Sequence, residues 1–302
     1  LTDRRLSMKK LLTLIMALFM AVGVFAVVPV HAEEGVEMVE DGDKRVYYPA
    51  SIADNGPYPV IAWANGTGCP TGSYVLLIEE FVKGGYIVVA DSTVMSGDGK
   101  AQISSIDYII EKNSDPNSFL YGKVNVDKIG AAGHSQGGRS VTNASKADSR
   151  IKAAVNIAGS PLGDERKNIN TPTLYLTGSA DLIVPSSMWV KPAYDGTVGM
   201  AAYASLKGGV HTTCMADPKK ISGYAVGWFD AVLKGDNEKL SWFRQGGKLF
   251  QDQTFTGVQS KNIADYSASA LFDNPLVAGI GIAVVALVGV FGYLSTRKKK
   301  QA

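Results

Sequence analysis

Strand and helix signals alternate along most of the chain, and this order constrains the fold more than any other feature. Short apolar runs that are typical of strands lie at 44–49, 58–64, 86–91, 127–133, 151–159, 171–178 and 200–206. Segments with the apolar spacing of helices lie at 74–85, 101–113, 136–146 and 221–236. Such alternation favours a mostly parallel sheet with crossover helices on its faces. The sequence therefore predicts an α/β fold.

The N-terminal end resembles a secretory signal peptide. Met8 and two lysines precede an apolar run that ends near Val28, and the small-residue pattern Val30-His31-Ala32 follows. This arrangement predicts export with cleavage after Ala32. The residues before Met8 are interpreted as lying upstream of the start methionine, and an uncleaved N-terminal anchor is the alternative.

The C-terminal end predicts a membrane anchor. Residues 276–294 carry no charge, and a basic cluster follows at 297–300. A helix of this length can cross ~30 Å of hydrocarbon, and the basic cluster should stay on the cytoplasmic side. A buried core helix is the alternative. The chain is thus divided into a leader (1–32), one α/β domain (33–255), a stalk (256–275), an anchor (276–294) and a basic tail (295–302).

Without its two ends the chain is acidic. Residues 33–274 hold 22 Lys and Arg against 27 Asp and Glu. Because no basic excess is left to neutralise phosphates, nucleic acid is not an expected partner. The same segment holds two histidines and two cysteines, so no metal site is expected.

The stretch "IGAAGHSQGGRS" (129–140) contains Ser135 in a Gly-x-Ser-x-Gly pattern. An apolar strand precedes the pattern and a helix follows it, which fits a nucleophile elbow with the serine at the apex of a sharp turn. Gly133 and Gly137 would let strand and helix approach closely there. An ordinary glycine-rich turn is the alternative. The context favours Ser135 as a catalytic nucleophile.

A serine hydroxyl needs a base that removes its proton, and histidine suits this task near neutral pH. His31 lies in the predicted leader, and the side chain of His134, inside the elbow, should point away from Ser135. His211 is left, on a loop after the last predicted strand. We therefore expect His211 to be the catalytic base.

The acid should lie between serine and histidine in the chain, after a strand. Asp181 fits this position in "TLYLTGSADLIVP". Asp164 and Glu165 are the competitors, but their charged stretch "GDERKN" is typical of a solvated surface. We expect Asp181 to orient the histidine and to stabilise its imidazolium.

The remaining catalytic part is a pair of oxyanion donors. One should be the backbone N–H of Gln136, at the start of the helix, and the other that of Thr67 in "NGTGCP". Gly66 would let this loop bend towards substrate, and Trp189 is a candidate wall of the substrate site. A plain glycine-rich turn is the alternative for the loop.

Cys69 ends the predicted oxyanion loop, and Cys214 lies three residues after His211. In an exported protein an isolated pair of cysteines is more often bridged than free. The sequence therefore predicts a disulfide that ties the two loops together.

With these pieces in order, the chain resembles the α/β-hydrolase superfamily. Within it, the likeness is to the dienelactone-hydrolase-like and polyester hydrolase branch, which includes cutinases and PET hydrolases. The resemblance rests on "PVIAWANGTG", "FVKGGYIVVADS", "DKIGAAGHSQGG", "TPTLYLTGSADLIVP" and the histidine of "GGVHTTC", and it covers roughly residues 45–235. It implies a cofactor-free serine carboxylesterase with Ser135, Asp181 and His211 as its triad.

The chain departs from the PET-degrading members at three positions. Those members usually have an aromatic residue in the oxyanion loop and a methionine after the nucleophile, where this chain has Thr67 and Gln136. They also tend to carry a tryptophan where this chain has "AGSPLG" (158–163). These differences concern the choice of ester rather than ester hydrolysis itself.

The leading hypothesis is therefore an exported serine esterase, held at the outer face of the cell membrane as a monomer. Its substrates would be small or polymeric carboxylic esters. An acyltransferase or a peptidase with the same triad is the alternative within enzymes, because other acceptors can attack the same acyl-enzyme. A non-catalytic binding module on a hydrolase scaffold is the alternative outside them.

Overall fold

The computed structural model describes residues 35–263, and in this range the strands form one sheet. They are β1 Val36–Asp41, β2 Lys44–Pro49, β3 Tyr58–Ala64, β4 Ile87–Asp91, β5 Val124–His134, β6 Ile151–Ile157, β7 Thr173–Gly178, β8 Ala201–Leu206 and β9 Phe255–Lys261. Their order across the sheet is β1-β2-β4-β3-β5-β6-β7-β8-β9. The strands from β4 to β8 in this order are parallel to each other, while β1, β2 and β9 pair antiparallel. The predicted α/β fold with a mostly parallel sheet is confirmed.

Helices cover both faces of this sheet. They are α1 Val75–Lys83, α2 Lys100–Ser114, α3 Gln136–Ala147, α4 Val190–Asp195, α5 Thr213–Ala216, α6 Lys219–Leu233, α7 Asn237–Ser241 and α8 Lys248–Gln251, with 3-10 turns at Thr71–Tyr74 and Gly163–Arg166. The helices α2 and α3 pack together against one face, and α1 and α6 pack together against the other.

The two covered faces explain why the central strands are apolar at nearly every position. Side chains alternate along a strand, so neighbouring residues of β3 enter different layers. Val60 belongs to the cluster that holds Ile106 of α2 and Val141 of α3. Trp63 faces the other layer, where its ring lies 6.5 Å from that of Phe81 in α1. A parallel sheet buried on both sides requires this composition.

The edge strands β1 and β9 carry no strand signal in the sequence. Most of their residues are exposed or half-buried, so neither strand shows a continuous apolar run. Their register comes from backbone pairing with β2 and β8, which sequence periodicity does not report. Since β9 runs to Lys261, the folded sheet extends into the segment predicted to be a stalk.

Helix α6 ends at Leu233, before the predicted end at residue 236. Gly235 has a φ of 73°, which turns the chain out of the helix. The side chain of Asp236 then accepts a hydrogen bond from the backbone N–H of Lys239 and caps α7. The shorter helix thus follows from a glycine turn and a new N-cap.

The membrane predictions fall outside this range. No helix within residues 35–263 is long and apolar enough to span a membrane. The predicted leader (1–32), the predicted anchor (276–294) and the basic tail (295–302) are not among the described residues.

Candidate active site

Ser135 lies at a sharp turn between β5 and α3. Its backbone has a φ of 58° and a ψ of −118°, a combination that non-glycine residues rarely adopt. Such strain costs of order 1–3 kcal/mol and persists only where the surroundings fix it. Here the Ser135 N–H donates to the carbonyl of Ile157 at 2.9 Å, and its own carbonyl accepts from Gly138 at 2.9 Å. The serine is therefore held at the apex by backbone bonds on both sides.

Two glycines make this turn possible. A Cβ on Gly133 would lie 2.5 Å from the carbonyl oxygen of Gly137. A Cβ on Gly137 would lie 2.0 Å from the carbonyl oxygen of Ala64, at the end of β3. Both distances are far below van der Waals contact with rigid backbone, so the turn requires glycine at both positions.

Asp181 and His211 meet at the same edge of the sheet, on the loops that follow β7 and β8. The Asp181 Oδ2 atom lies 2.7 Å from His211 Nδ1, and both side chains are buried. A carboxylate can only accept, so Nδ1 carries the proton and Nε2 is left as the basic nitrogen. This is the proton arrangement that a catalytic base needs.

The remaining oxygen of Asp181 is also satisfied. Its Oδ1 accepts from the backbone N–H of Ile183 at 2.9 Å and from that of Val184 at 2.8 Å. A buried carboxylate is tolerated only where such bonds replace its water. The turn after Asp181 therefore supplies what the buried charge requires.

The two competing acids lie elsewhere. Glu165 forms a two-pronged ion pair with Arg139, with Nη2 to Oε1 at 2.7 Å and Nε to Oε2 at 2.9 Å. Asp164 pairs with Lys167 at 2.8 Å, and its side chain is 90% exposed. The carboxylate that contacts His211 is that of Asp181, and Asp164 and Glu165 are bonded to other residues.

The backbone N–H groups of the loop 65–70 differ in whether the protein supplies an acceptor for them. The backbone N–H groups of Gly66, Gly68 and Cys69 find acceptors within the protein. Among the described residues, the N–H of Thr67 has no such acceptor. Gln136 is the first residue of α3, where a backbone N–H has no intrahelical partner.

Trp189, the candidate wall of the substrate site, packs against other side chains of the protein. Its ring packs against the buried cluster that includes Tyr175 and Val184, and the Arg166 guanidinium lies 5.2 Å from its centroid. A part for Trp189 in substrate binding stays a prediction.

The predicted disulfide is not present, because Cys69 and Cys214 are both free and buried. The Tyr74 hydroxyl is hydrogen-bonded to the Cys69 thiol and lies near both sulfur atoms. Burial raises the pKa of each thiol above its usual value, so both stay protonated. An isolated pair in the sequence indicated proximity but not a bond.

His134 makes contacts that the sequence does not predict. Its side chain is buried, with Nε2 2.8 Å from the carbonyl oxygen of His211 and Nδ1 3.0 Å from the Tyr74 hydroxyl. The Tyr74 hydroxyl in turn accepts from the N–H of Gly66 at 3.0 Å. In the sequence, Tyr74 lies in a segment predicted to be helical and His134 in the predicted elbow, and nothing in either segment indicates that the two side chains meet.

Exposed apolar side chains follow the carboxyl ends of the strands near Ser135. They were also missed, because single apolar residues in loops carry no periodicity. The exposed group consists of Met95, Leu162, Leu182, Ile183, Met188 and Val210. Since these loops start at the same edge as the Ser135 turn, that edge presents exposed apolar side chains to an incoming substrate.

Comparison with known proteins identifies the family. The model of the family described as PET hydrolase-like matches residues 17–254, well over half of the chain. The chain belongs to the PET hydrolase-like family. The resemblance to the polyester hydrolase branch is thereby confirmed.

Named relatives of this PET hydrolase-like chain agree with that assignment. A bis(hydroxyethyl) terephthalate hydrolase from Streptomyces coelicolor is 24% identical over 65% of this chain and 63% of its own length. Cutinase est1 from Thermobifida alba is 25% identical over 68% of this chain and 70% of its own. Cutinase cut1 from Thermobifida fusca is 25% identical over 68% and 65%. The chain thus spans somewhat less than two thirds of the Streptomyces protein.

Proposed function

We propose that this chain is a serine carboxylic ester hydrolase with Ser135 as nucleophile, His211 as base and Asp181 as the orienting acid. The observation that carries the proposal is the 2.7 Å bond between Asp181 and His211 at the sheet edge where Ser135 is held in a strained turn. Hydrolase names among the relatives support the same chemistry.

The reaction would run through an acyl-enzyme. Ser135 Oγ attacks the ester carbonyl while His211 Nε2 takes its proton, and the negative oxygen is stabilised by the N–H groups of Thr67 and Gln136. The C–O bond to the alcohol then breaks, and His211 returns the proton to the leaving alkoxide. Water, deprotonated by the same nitrogen, then attacks the acyl carbon. The bond from this carbon to Ser135 Oγ breaks, His211 returns the proton to the serine oxygen, and the acid leaves.

The proposed substrates are bulky or polymeric apolar esters. Leu182 is 89% exposed and Met188 61% exposed, both on the loop that also carries Asp181. Exposed apolar groups gain free energy when an apolar surface covers them. The relatives include two cutinases and a hydrolase of bis(hydroxyethyl) terephthalate, which supports esters of this kind.

The first experiment compares the full-length wild type with Ser135→Ala on a series of p-nitrophenyl esters of increasing acyl length. We expect wild-type hydrolysis with a length optimum, and a loss of at least ~10³-fold in the variant. If Ser135→Ala keeps the wild-type rate, another residue is the nucleophile. If both proteins are folded and inert, the binding-module alternative takes over.

A second experiment tests the polymer. Leu182→Ser and Met188→Ser should each slow hydrolysis of a polyester film about five-fold, since about 1 kcal/mol of adsorption energy is lost with a partly covered apolar side chain. Hydrolysis of a short soluble ester should not change. Met38→Ser is the matched control, because Met38 is 44% exposed on the edge strand β1. Equal losses with Met38→Ser would contradict a specific docking edge.

We also propose export and membrane attachment, from the apolar runs at 11–28 and 276–294. The test is N-terminal sequencing of the protein from cells, together with fractionation of the membrane. A first residue at position 33 and recovery in the membrane fraction are expected. An N-terminus at Met8 would overturn the cleavage.

A further inference from the structure

A chain of buried hydrogen bonds runs from the oxyanion loop to the loop of the catalytic base. It begins at the N–H of Gly66, passes through the hydroxyl of Tyr74 at 3.0 Å, and reaches Nδ1 of His134 at 3.0 Å. It ends where Nε2 of His134 meets the carbonyl oxygen of His211 at 2.8 Å. One end adjoins Thr67, and the other end is the backbone of the base itself.

The positions of the protons in this chain follow from its two ends. The carbonyl of His211 can only accept, so Nε2 of His134 carries a proton. Full burial lowers the pKa of His134 well below its usual value, as does the neighbouring His211, so the ring is neutral. Its Nδ1 is then an acceptor, and the Tyr74 hydroxyl must donate to it. The hydroxyl oxygen then accepts from the N–H of Gly66, and the Cys69 thiol, the other partner of this hydroxyl, must donate to it as well.

The side chains of this hydrogen-bonded chain are buried and closely packed. Tyr74 is fully buried, His134 is 2% exposed, and the rings of His134 and His211 lie 4.5 Å apart. A Cβ on Gly66 would come within 2.7 Å of the Tyr74 hydroxyl. Because these groups are buried, the loss of one partner would leave a polar group without its hydrogen bond, so each bond constrains the group next to it.

We propose that Tyr74 is a positioning residue that, through His134, holds the oxyanion donor at Thr67 and the base His211 in a fixed relation. This inference rests on the function proposed above. The hydrogen-bonded pair of Tyr74 and His134 thus connects the same two loops that the predicted disulfide would have connected. Tyr74 touches neither substrate nor the reacting atoms.

The kinetic test is Tyr74→Phe in the full-length protein, which removes one hydroxyl and keeps the ring. Tyr86→Phe is the matched control, because Tyr86 is also fully buried and its hydroxyl bonds to Asp230 at 2.8 Å, in another part of the fold. We expect Tyr74→Phe to lower kcat about tenfold to a hundredfold with little change in KM, since small misplacements of catalytic groups have effects of this size. Tyr86→Phe should lower the melting temperature but not kcat.

An NMR measurement tests the chain without relying on activity. In protein labelled with ¹⁵N-histidine, His134 is assigned by the loss of its signals in His134→Gln. We expect a neutral ring with its proton on Nε2, and a downfield shift of the unprotonated Nδ1 in Tyr74→Phe as it loses its donor. A proton on Nδ1 in the wild type would overturn the proposal even if Tyr74→Phe does not fold.

The outcomes separate this inference from the proposed function. If the wild type hydrolyses esters and Tyr74→Phe matches it in kcat, the positioning role is wrong and the esterase assignment stands. If the wild type hydrolyses no ester, the proposed function fails and the positioning role fails with it, whatever the NMR spectrum shows. Equal kcat losses in Tyr74→Phe and Tyr86→Phe would mean a general effect of stability, and would also overturn the proposal.

Discussion

The two halves of the candidate site are held in place by different forces. Ser135 is fixed by backbone, in a turn so tight that Gly137 leaves no room for a methyl group against Ala64. Asp181 and His211 are fixed by side-chain hydrogen bonds on two longer loops. The first half is therefore governed by sterics, which tolerate almost no change. The second is governed by the positions of protons, which a subtle chemical change can shift without disturbing the fold.

The largest expected effect is on the steric half. Gly137→Ala would place Cβ 2.0 Å from the carbonyl oxygen of Ala64, so β3 and α3 would have to separate. We expect a loss of more than about 4 kcal/mol in the free energy of unfolding, or no folded protein. Urea unfolding followed by circular dichroism measures it.

The control for this substitution is Gly223→Ala in helix α6. A Cβ there would have no atom within 4 Å, and the residue is helical. Alanine should stabilise the protein by about 0.5–1 kcal/mol, because glycine is the poorer helix former. A folded and active Gly137→Ala protein would contradict the view that sterics fix this half of the site, since the turn would then accommodate a methyl group.

The next effect concerns the proton-governed half. In Asp181→Asn the Oδ1 atom can still accept from Ile183 and Val184, which leaves the amide NH₂ facing His211. An amide nitrogen only donates, so His211 must move its proton to Nε2 and can no longer accept one from Ser135. We expect kcat to fall about 10⁴-fold while the fold is kept.

Asp164→Asn is the matched control for that prediction, because Asp164 was the competing acid and its side chain is 90% exposed. Its kcat should equal that of the wild type in the same ester assay. If Asp164→Asn proves the more harmful of the two, the loop that holds Asp164 rather than that of Asp181 supplies the acid.

The sequence predicts the steric half well. The elbow is encoded locally, since an apolar strand, two glycines and a serine stand within a few residues of each other. The central strands can be predicted equally well, because burial on both faces requires apolar residues at nearly every position of β3, β7 and β8. The edge strands β1 and β9 have no such requirement, and they were missed.

The second half, which is held by side-chain hydrogen bonds, can be predicted only in part from the sequence. Chain order suggested Asp181 and His211, whose contact joins loops 30 residues apart. Nothing in the local sequence marks Tyr74 as a partner of His134, since these residues are 60 positions apart and meet only when β3 and β5 pair. The two cysteines illustrate the same point. Their positions indicated that the two loops lie close together, but the loops are connected by other groups and not by a disulfide.

The smallest expected effect is a pH dependence of stability that comes from His134, whose Nε2 is bonded to the carbonyl oxygen of His211. The pKa of His134 lies well below its usual value in the folded protein, because of burial. The unfolded chain has a normal histidine with a pKa of about 6.5, so below this pH it binds a proton that the folded protein does not. Stability should therefore fall as pH drops from about 6.5 towards 5, with a slope of up to about 1.4 kcal/mol per pH unit.

His134→Gln should be less stable than the wild type but should lack this contribution to the slope in urea unfolding between pH 5 and 6.5. Asp148→Asn is the control. Its ion pair with Arg150 lowers the pKa of Asp148, so its contribution is present above the unfolded value of about 3.9 and is lost only as the pH falls below it. Between pH 5 and 6.5 this variant should be less stable by a constant amount, with the wild-type slope. An unchanged slope in His134→Gln would mean that His134 takes up a proton in the folded state, and the hydrogen-bonded chain to His211 could not have the proton arrangement that its geometry requires.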